Sequence, residues 1–120
     1  DGAVMSEVKI AVTAEVTVSA TVTKEGLSSL GAKLNDEVTA IIKASSIIIT
    51  KDAVKTTARN VLKGKVIEVN KGAVNSEVKL SLGTAIISAI VTNDAIEDLS
   101  IKVSEDAYAI IKASSVILIA

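Results

Sequence analysis

The sequence predicts a mainly β protein made of two repeated small modules, each with one short helix. Three observations predict this fold class: the composition, the alternation of polar and apolar residues, and an internal repeat. Apolar residues make up 49% of the 120-residue chain, and almost all of them are Val, Ile, Ala and Leu. Because β-branched side chains pack well on a pleated sheet and lose little freedom there, this composition favours strands.

The internal repeat consists of three blocks that recur in the same order. The first block returns at an offset of 70 residues and the other two at 69, which indicates a single deletion between them. The blocks are Asp1–Ile10 and Lys71–Leu80, Ser19–Thr23 and Ser88–Thr92, and the identical pair Ala40–Ser46 and Ala109–Ser115. Chance similarity between Val-rich strands does not produce three ordered matches, so we interpret the repeat as a duplication.

The repeat divides the chain into residues 1–50 as a first module, residues 51–56 as a linker and residues 57–120 as a second module. The segment Thr57–Asn70 has the pattern of an opening strand and turn, and nothing corresponds to it before Asp1. The first module is therefore predicted to lack its opening strand. Either the chain is trimmed there, or another strand from this chain or a neighbour fills the gap, because an open gap leaves unpaired N–H and C=O groups.

The first module is predicted to contain four strands and a helix. Alternation of polar and apolar residues indicates half-buried strands, and Thr23 and Gly31 are typical of a helix N-cap and a left-handed C-cap. The predicted elements are strands Glu7–Val12 and Val16–Val22, helix Lys24–Leu30, and strands Glu37–Lys43 and Ile47–Thr50.

The second module repeats this order after its opening strand. Thr92 is the predicted N-cap of a helix over Asn93–Leu99, and the last two strands are predicted over Ala107–Lys112 and Val116–Ile119. Five short strands and one helix per repeat are typical of a small OB-like five-stranded barrel. The runs Ile47–Ile49 and Val116–Ile119 lack polar alternation, so we expect apolar cover on both of their faces and hence an oligomer. The alternative is a strand lying between the barrel and its helix.

The composition excludes several function classes. The chain has no His or Cys, so the usual ligands of zinc, copper or iron are absent, as are a thiol nucleophile and an imidazole base. One aromatic residue, Tyr108, and a net charge of −1 do not suit nucleic-acid binding, which uses aromatic platforms and basic grooves. No apolar run approaches the roughly 18 residues of a membrane span. We therefore expect neither an enzyme nor a nucleic-acid or membrane protein, and the lack of Cys is compatible with a cytoplasmic location.

The twin turns Lys43-Ala44-Ser45 and Lys112-Ala113-Ser114 are candidate oxyanion sites. Each brings hydroxyls, successive amides and one ammonium close together, and such donors satisfy a small anion whose oxygens only accept hydrogen bonds. A plain turn, in which Ser caps its own backbone and Lys is solvated, is the alternative from the residues alone.

Three further positions are candidates for anion binding. Arg59 is the only arginine, and its planar fork suits bidentate oxyanion contact, although a surface ion pair is the alternative. Asn60 beside it either binds or holds the turn. Thr23 and Thr92 each offer a hydroxyl at a helix start, which capping alone explains equally well.

Three ordered motifs resemble those of the molbindin (Mop) family. They are Thr57-Ala58-Arg59-Asn60 followed by Leu62-Lys63-Gly64, then Gly72 to Val78 (GAVNSEV), then Lys112 to Leu118 (KASSVIL). The likeness covers the second module throughout and the first from Asp1. Thr57 stands where the family usually has Ser, which keeps the hydroxyl, and the first module lacks the opening motif and its Arg.

The resemblance implies an OB-like fold, assembly of six modules as a homotrimer of tandem chains, and molybdate or tungstate bound between modules. From the residue chemistry and the resemblance together, the predicted oxyanion-binding residues are Thr57, Arg59, Asn60, Thr92, Lys112, Ala113, Ser114, Thr23, Lys43, Ala44 and Ser45. We therefore predict a cytoplasmic protein for molybdenum storage or homeostasis. The alternative is the ligand-sensing module of a molybdate-responsive transcription regulator or a transport ATPase.

Overall fold

The computed structural model describes residues 5–119, so the first four positions of the repeated block Asp1–Ile10 lie outside it. Nine strands and two α-helices form in the order that the repeat predicts. They are β1 (Met5–Ala11), β2 (Thr17–Thr23), α1 (Lys24–Leu30), β3 (Thr39–Ile42), β4 (Ile48–Thr50), β5 (Asn60–Lys71), β6 (Asn75–Ser81), β7 (Ile86–Thr92), α2 (Asn93–Leu99), β8 (Asp106–Ile111) and β9 (Val116–Ile119). The mainly β fold class is confirmed.

The two helices have the predicted ends. Thr23 Oγ1 accepts a hydrogen bond from the Gly26 amide at 2.9 Å, and Thr92 Oγ1 accepts one from the Ala95 amide at 3.1 Å. Gly31 ends α1 with a left-handed φ of 72°, a conformation that glycine adopts without steric cost. The capping side chains therefore satisfy amides that the first helical turn leaves unpaired.

The two halves of the repeat exchange their closing strands. β4, which closes the first half, pairs antiparallel with β8 of the second half, with Ile49 opposite Ala109. Reciprocally, β9 of the second half pairs antiparallel with β3 of the first, with Ile41 opposite Ile117. The five-stranded sheet therefore has the order β4-β8-β5-β6-β7, beside the pairs β1-β2 and β3-β9.

Because of this exchange, neither module closes into the barrel of its own strands that the sequence predicted. The sequence predicts a barrel from each module's own strands, whereas the sheets are not closed into barrels and each half completes the other. Within the described part of the chain, the strands hold one core cluster with members from both halves, including Val18 and Ala20 from β2 and Leu80 and Ile111 from the five-stranded sheet.

The apolar runs are covered on one face only within a single chain. Ile47 and Ile49 are buried, whereas Ile48 between them is 59% exposed. Val116 is likewise buried, and Ile117 is 59% exposed. Strand exchange therefore accounts for the inward face of each run and leaves the outward face apolar and open.

Both helices are only seven residues long. Across residues 5–119, no helix has the length and apolar character needed to cross a bilayer.

Candidate functional site

The opening motif of the second half lies in an open depression between the two halves. Thr57, Ala58 and Arg59 come directly before β5, and they line this depression together with side chains from β1 and β2. The full lining is Glu7, Lys9, Ser19, Thr56, Thr57, Ala58 and Arg59, and the volume is about 570 Å³. Two cations, three hydroxyls and one carboxylate thus surround a space larger than a tetrahedral oxyanion.

Arg59 forms an ion pair across this depression. Its Nε and Nη2 both donate to Glu7 Oε2, at 3.1 and 2.7 Å. The hydrogen bond from Arg59 is the main cause that lowers the pKa of the Glu7 carboxyl below its ordinary value, with a further lowering from the Arg59 charge. The guanidinium side chain is 62% exposed, so solvent and ions reach it. The surface ion pair that the sequence left as an alternative therefore forms.

Asn60 fastens the opening of β5 to both halves. Its Oδ1 accepts from the Ser19 amide at 2.7 Å, and its Nδ2 donates to the Ser19 carbonyl at 2.9 Å and to the Ile111 carbonyl at 3.2 Å. The residue is only 2% exposed. These bonds use its side-chain amide on backbone groups, so Asn60 holds the chain beside Arg59 in place.

The twin Lys-Ala-Ser segments form short 3-10 turns, Ala44–Ser46 after β3 and Ala113–Ser115 after β8. Ser46 and Ser115 donate backbone N–H groups to the carbonyls of Lys43 and Lys112, at 2.8 and 2.9 Å. In each segment the lysine and the first serine are exposed, and within residues 5–119 their side chains form no hydrogen bonds. These residues are Lys43, Ser45, Lys112 and Ser114.

Each turn packs against a strand of the opposite half. The turn Ala113–Ser115 contacts β2, and the turn Ala44–Ser46 contacts β7. Because Asn60 hydrogen-bonds to both Ser19 on β2 and Ile111 at the end of β8, the second-half turn and the Arg59 segment share one boundary. The first-half turn faces β7, where the chain provides no second arginine.

Thr23 and Thr92 lie at the starts of α1 and α2 as helix caps. Each hydroxyl accepts from an amide of the first turn, which is the capping role that the sequence left open beside anion binding. Both residues are exposed. Their part in anion binding stays a prediction.

The structure adds four polar residues that sequence reasoning did not select. Glu7 and Lys9 on β1 line the same depression as Arg59, together with Ser19 on β2 and Thr56 directly before Thr57. Their alternation along β1 places Glu7 and Lys9 on one face. However, no local signal connects that face to a segment about fifty residues later.

Together these features define a small mainly β domain with hydrogen-bond donors gathered where its two halves meet. A family model, the TOBE domain, matches residues 56–118. The match covers more than half of the chain, and the chain therefore belongs to the TOBE-domain family.

Curated relatives extend the match to both halves. The chain is 39% identical over 119 residues to the molybdenum transport protein ModE of Azotobacter vinelandii, and 35% identical over 120 residues to the molybdenum-pterin-binding protein MopA of Rhodobacter capsulatus. Each alignment takes in 98% of this chain but only 44% and 45% of those relatives. The chain thus spans about half the length of these curated relatives.

A solved structure shows the same architecture along the whole chain. The cytoplasmic molybdate-binding protein ModG, crystallised with molybdate bound, superposes with a TM-score of 0.91 at 39% identity. The match covers 98% of this chain and 86% of that one. The OB-like fold predicted from the repeat is therefore confirmed.

Proposed function

We propose that this protein binds molybdate in the cytoplasm and serves molybdenum storage or homeostasis. The observation that carries the proposal is the depression where Arg59, Lys9 and Thr57 meet at the boundary between the halves. The likeness to ModG supports it, because that protein was crystallised with molybdate bound.

The donors fit the chemistry of such a ligand. A tetrahedral dianion has oxygens that only accept hydrogen bonds, so it needs N–H, O–H and ammonium groups to replace its water shell. Arg59 and Lys9 supply charge, Thr57 supplies a hydroxyl, and the exposed Lys112 and Ser114 of the second-half turn supply donors from the same boundary. The Glu7 carboxylate and an entering anion would accept hydrogen bonds from the same N–H groups of Arg59. Anion binding therefore requires Glu7 to lose or share its hydrogen bonds to the guanidinium.

Tungstate is a second ligand in this proposal, since it has the same charge and shape and presents the same acceptors. The proposal assigns anion binding to Thr57, Arg59, Thr92, Lys112, Ala113 and Ser114, and to Thr23, Lys43, Ala44 and Ser45 at the boundary of the other half. Asn60 contributes by holding Arg59 in position. The protein binds its ligand without chemical conversion.

The protein assembles as a homotrimer, which brings six modules together. Support comes from the outward isoleucines of the β3-β9 pair: Ile41 and Ile117 lie opposite each other and, like Ile119, are large and exposed. Contiguous apolar surface of this kind typically marks a protein interface.

An alternative function is that of a ligand-sensing module within a larger regulator. The specific observation in its favour is that almost all of this chain aligns with less than half of ModE. Anion binding is common to both functions, so the same experiment tests them first.

Isothermal titration calorimetry with molybdate, tungstate, sulfate and phosphate tests the proposal. Molybdate or tungstate should bind stoichiometrically with micromolar or tighter affinity, and sulfate and phosphate should bind more weakly. Equal and weak heats from all four anions would show that the depression is an ordinary surface groove.

A further inference from the structure

The Glu7 carboxylate occupies the position on Arg59 that an oxyanion would take. Two N–H groups of the guanidinium, on Nε and Nη2, donate to the same oxygen, Glu7 Oε2, at 3.1 and 2.7 Å. A carboxylate oxygen and an oxyanion oxygen both accept hydrogen bonds from this edge of a guanidinium. The protein thus carries its own competing anion, attached to β1 and placed within the candidate site.

The charges around this carboxylate come from two side chains. Among the described residues, the charged side chains that act on Glu7 are Arg59, from the segment before β5, and Lys9, two positions along β1. β2, the strand paired with β1, places the uncharged Thr21 opposite Glu7 and Ser19 opposite Lys9. The hydrogen bond from Arg59 is the first cause of the lowered pKa of Glu7. The guanidinium is therefore the main group that keeps this carboxylate ionised.

The repeat provides the same glutamate without the arginine. Glu77 on β6 matches Glu7 at the offset of 70, and both lie in the sequence Ser-Glu-Val-Lys. Glu77 Oε1 accepts a hydrogen bond from Asn70 Nδ2 at 3.1 Å, so its partner is a neutral amide and not a guanidinium. Since the local sequence is the same, the difference between the two glutamates comes from tertiary contacts.

An anion that takes the guanidinium would leave the Glu7 carboxylate beside two further negative charges. The carboxylate would lose the hydrogen bonds that stabilise its ionised form, and the like charge of the anion would disfavour that form. Lys9 lines the same depression, but its single positive charge would be shared with the dianion. All these changes raise the pKa of Glu7 relative to the anion-free protein.

We propose that Glu7 couples anion binding at Arg59 to the uptake of a proton, so that the site binds its oxyanion more tightly as pH falls. In this step the dianion takes the N–H groups of Arg59, the Glu7 carboxylate leaves them, and one proton from solvent neutralises the carboxylate. The resulting O–H can donate a hydrogen bond to an oxygen of the bound anion. This inference rests on the proposed anion binding and adds its regulation.

The direction of the pH effect follows from the two states of Glu7. In the anion-free protein the ion pair lowers the pKa of Glu7, and in the anion-bound protein the dianion raises it above its ordinary value. Between these two pKa values the bound state holds more protons than the free state. Affinity therefore rises as pH falls through this interval. Above the interval both states are ionised, and Glu7 acts only as a competitor.

Titration calorimetry with dilute molybdate, in pairs of buffers that differ in ionisation enthalpy, tests the coupling. The dependence of the heat on the buffer gives the number of protons taken up for each anion bound. Wild-type protein at about pH 5.5 should take up about half a proton or more per anion bound at Arg59. Its affinity should be about two- to tenfold higher at about pH 5.5 than at about pH 7.5.

Two variants separate Glu7 from other sources of a pH effect. Glu7→Gln removes the charge but keeps the size, so at about pH 7.5 it should bind molybdate about two- to tenfold more tightly than wild type. It should also take up no proton and lose the pH dependence of affinity. Glu77→Gln is the matched control, since Glu77 has the same flanking residues but contacts Asn70, and it should behave as wild type.

The outcomes distinguish this coupling from the proposed function. Molybdate binding without net proton uptake at the lower pH would overturn the coupling alone, and so would proton uptake that Glu7→Gln leaves unchanged. Equal affinity of wild type and Glu7→Gln at the higher pH would show that the carboxylate does not compete with the anion. No heat with molybdate in any of the three proteins would instead contradict the proposed function, and the coupling would fall with it.

Discussion

The guanidinium of Arg59 holds the Glu7 carboxylate through two N–H groups, the geometry with which it would hold an oxyanion oxygen. A carboxylate in this position has two consequences. It keeps the guanidinium oriented towards the depression, and it competes with any anion that enters. Arg59 and Glu7 thus have opposite expected effects on anion affinity.

Replacing Arg59 with Ala should weaken molybdate binding about tenfold or more, because a charge-assisted bidentate contact is lost. Calorimetric titration measures the change. Lys63→Ala is the matched control: Lys63 is a cation four residues further along, on β5, and its ammonium is 3.8 Å from Asp106 on the surface. Unchanged affinity in Arg59→Ala would remove this residue from the site.

Glu7→Gln should change how thermal stability depends on pH. The folded protein lowers the pKa of Glu7, so the ion pair contributes stability above the ordinary pKa and loses it as pH falls through the lowered one. The difference in Tm between wild type and Glu7→Gln should therefore be largest near neutral pH and shrink well below about pH 4. A difference that stays constant over this range would show that the ion pair contributes nothing.

At the scale of elements, Asn60 is the connection on which the position of β5 depends. Asn60→Ala should lower the free energy of unfolding by about 2–4 kcal/mol, because it removes the partner of the part-buried N–H and C=O of Ser19 and of the buried carbonyl of Ile111. Urea denaturation measures this. Asn70→Ala is the control, since Asn70 lies on the same strand but is exposed, and it should change stability by about 0.5 kcal/mol or less. Equal effects of both variants would contradict this role for Asn60.

The elements themselves were predictable, but their partners were not. Alternation and capping residues located the strands and both helices, because these signals are local. Strand exchange has no local signal: Ala40–Ser46 and Ala109–Ser115 are identical, so β4 and β9 follow the same sequence in either half. Only the path of the whole chain decides which half each closing strand joins.

The candidate site, like the strand pairing, could be predicted only in part from the sequence. The Lys-Ala-Ser turns and Arg59 were found because they are repeated or unique. Glu7 and Lys9 were not, because their proximity to Arg59 follows from packing of β1 against the segment before β5. Contacts between residues so far apart in sequence depend on tertiary structure.

At the scale of the whole molecule, exchanged strands make each half depend on the other. β4 of the first half pairs with β8 in the five-stranded sheet, and β9 of the second half pairs with β3. Among the described residues, one core cluster has members from both halves. Calorimetry should therefore show one unfolding transition, with a van't Hoff enthalpy close to the calorimetric value. Two separate transitions would mean that the halves fold independently.

The outward isoleucines predict the effect of a charge on assembly. Ile117→Lys should convert the proposed trimer to monomers, because an ammonium would be buried in an apolar interface. Light scattering after size-exclusion chromatography measures the mass. Val74→Lys is the control, since Val74 is 70% exposed in the loop before β6. A wild-type protein that is already monomeric would contradict the assembly.

Anomalous diffraction at the molybdenum absorption edge, from crystals grown with molybdate, tests the central claim most directly. The account predicts molybdenum within contact of Arg59 or of a Lys-Ala-Ser turn, at a boundary between modules. Molybdenum found only at surfaces remote from both, or no ordered molybdenum at all, would contradict it.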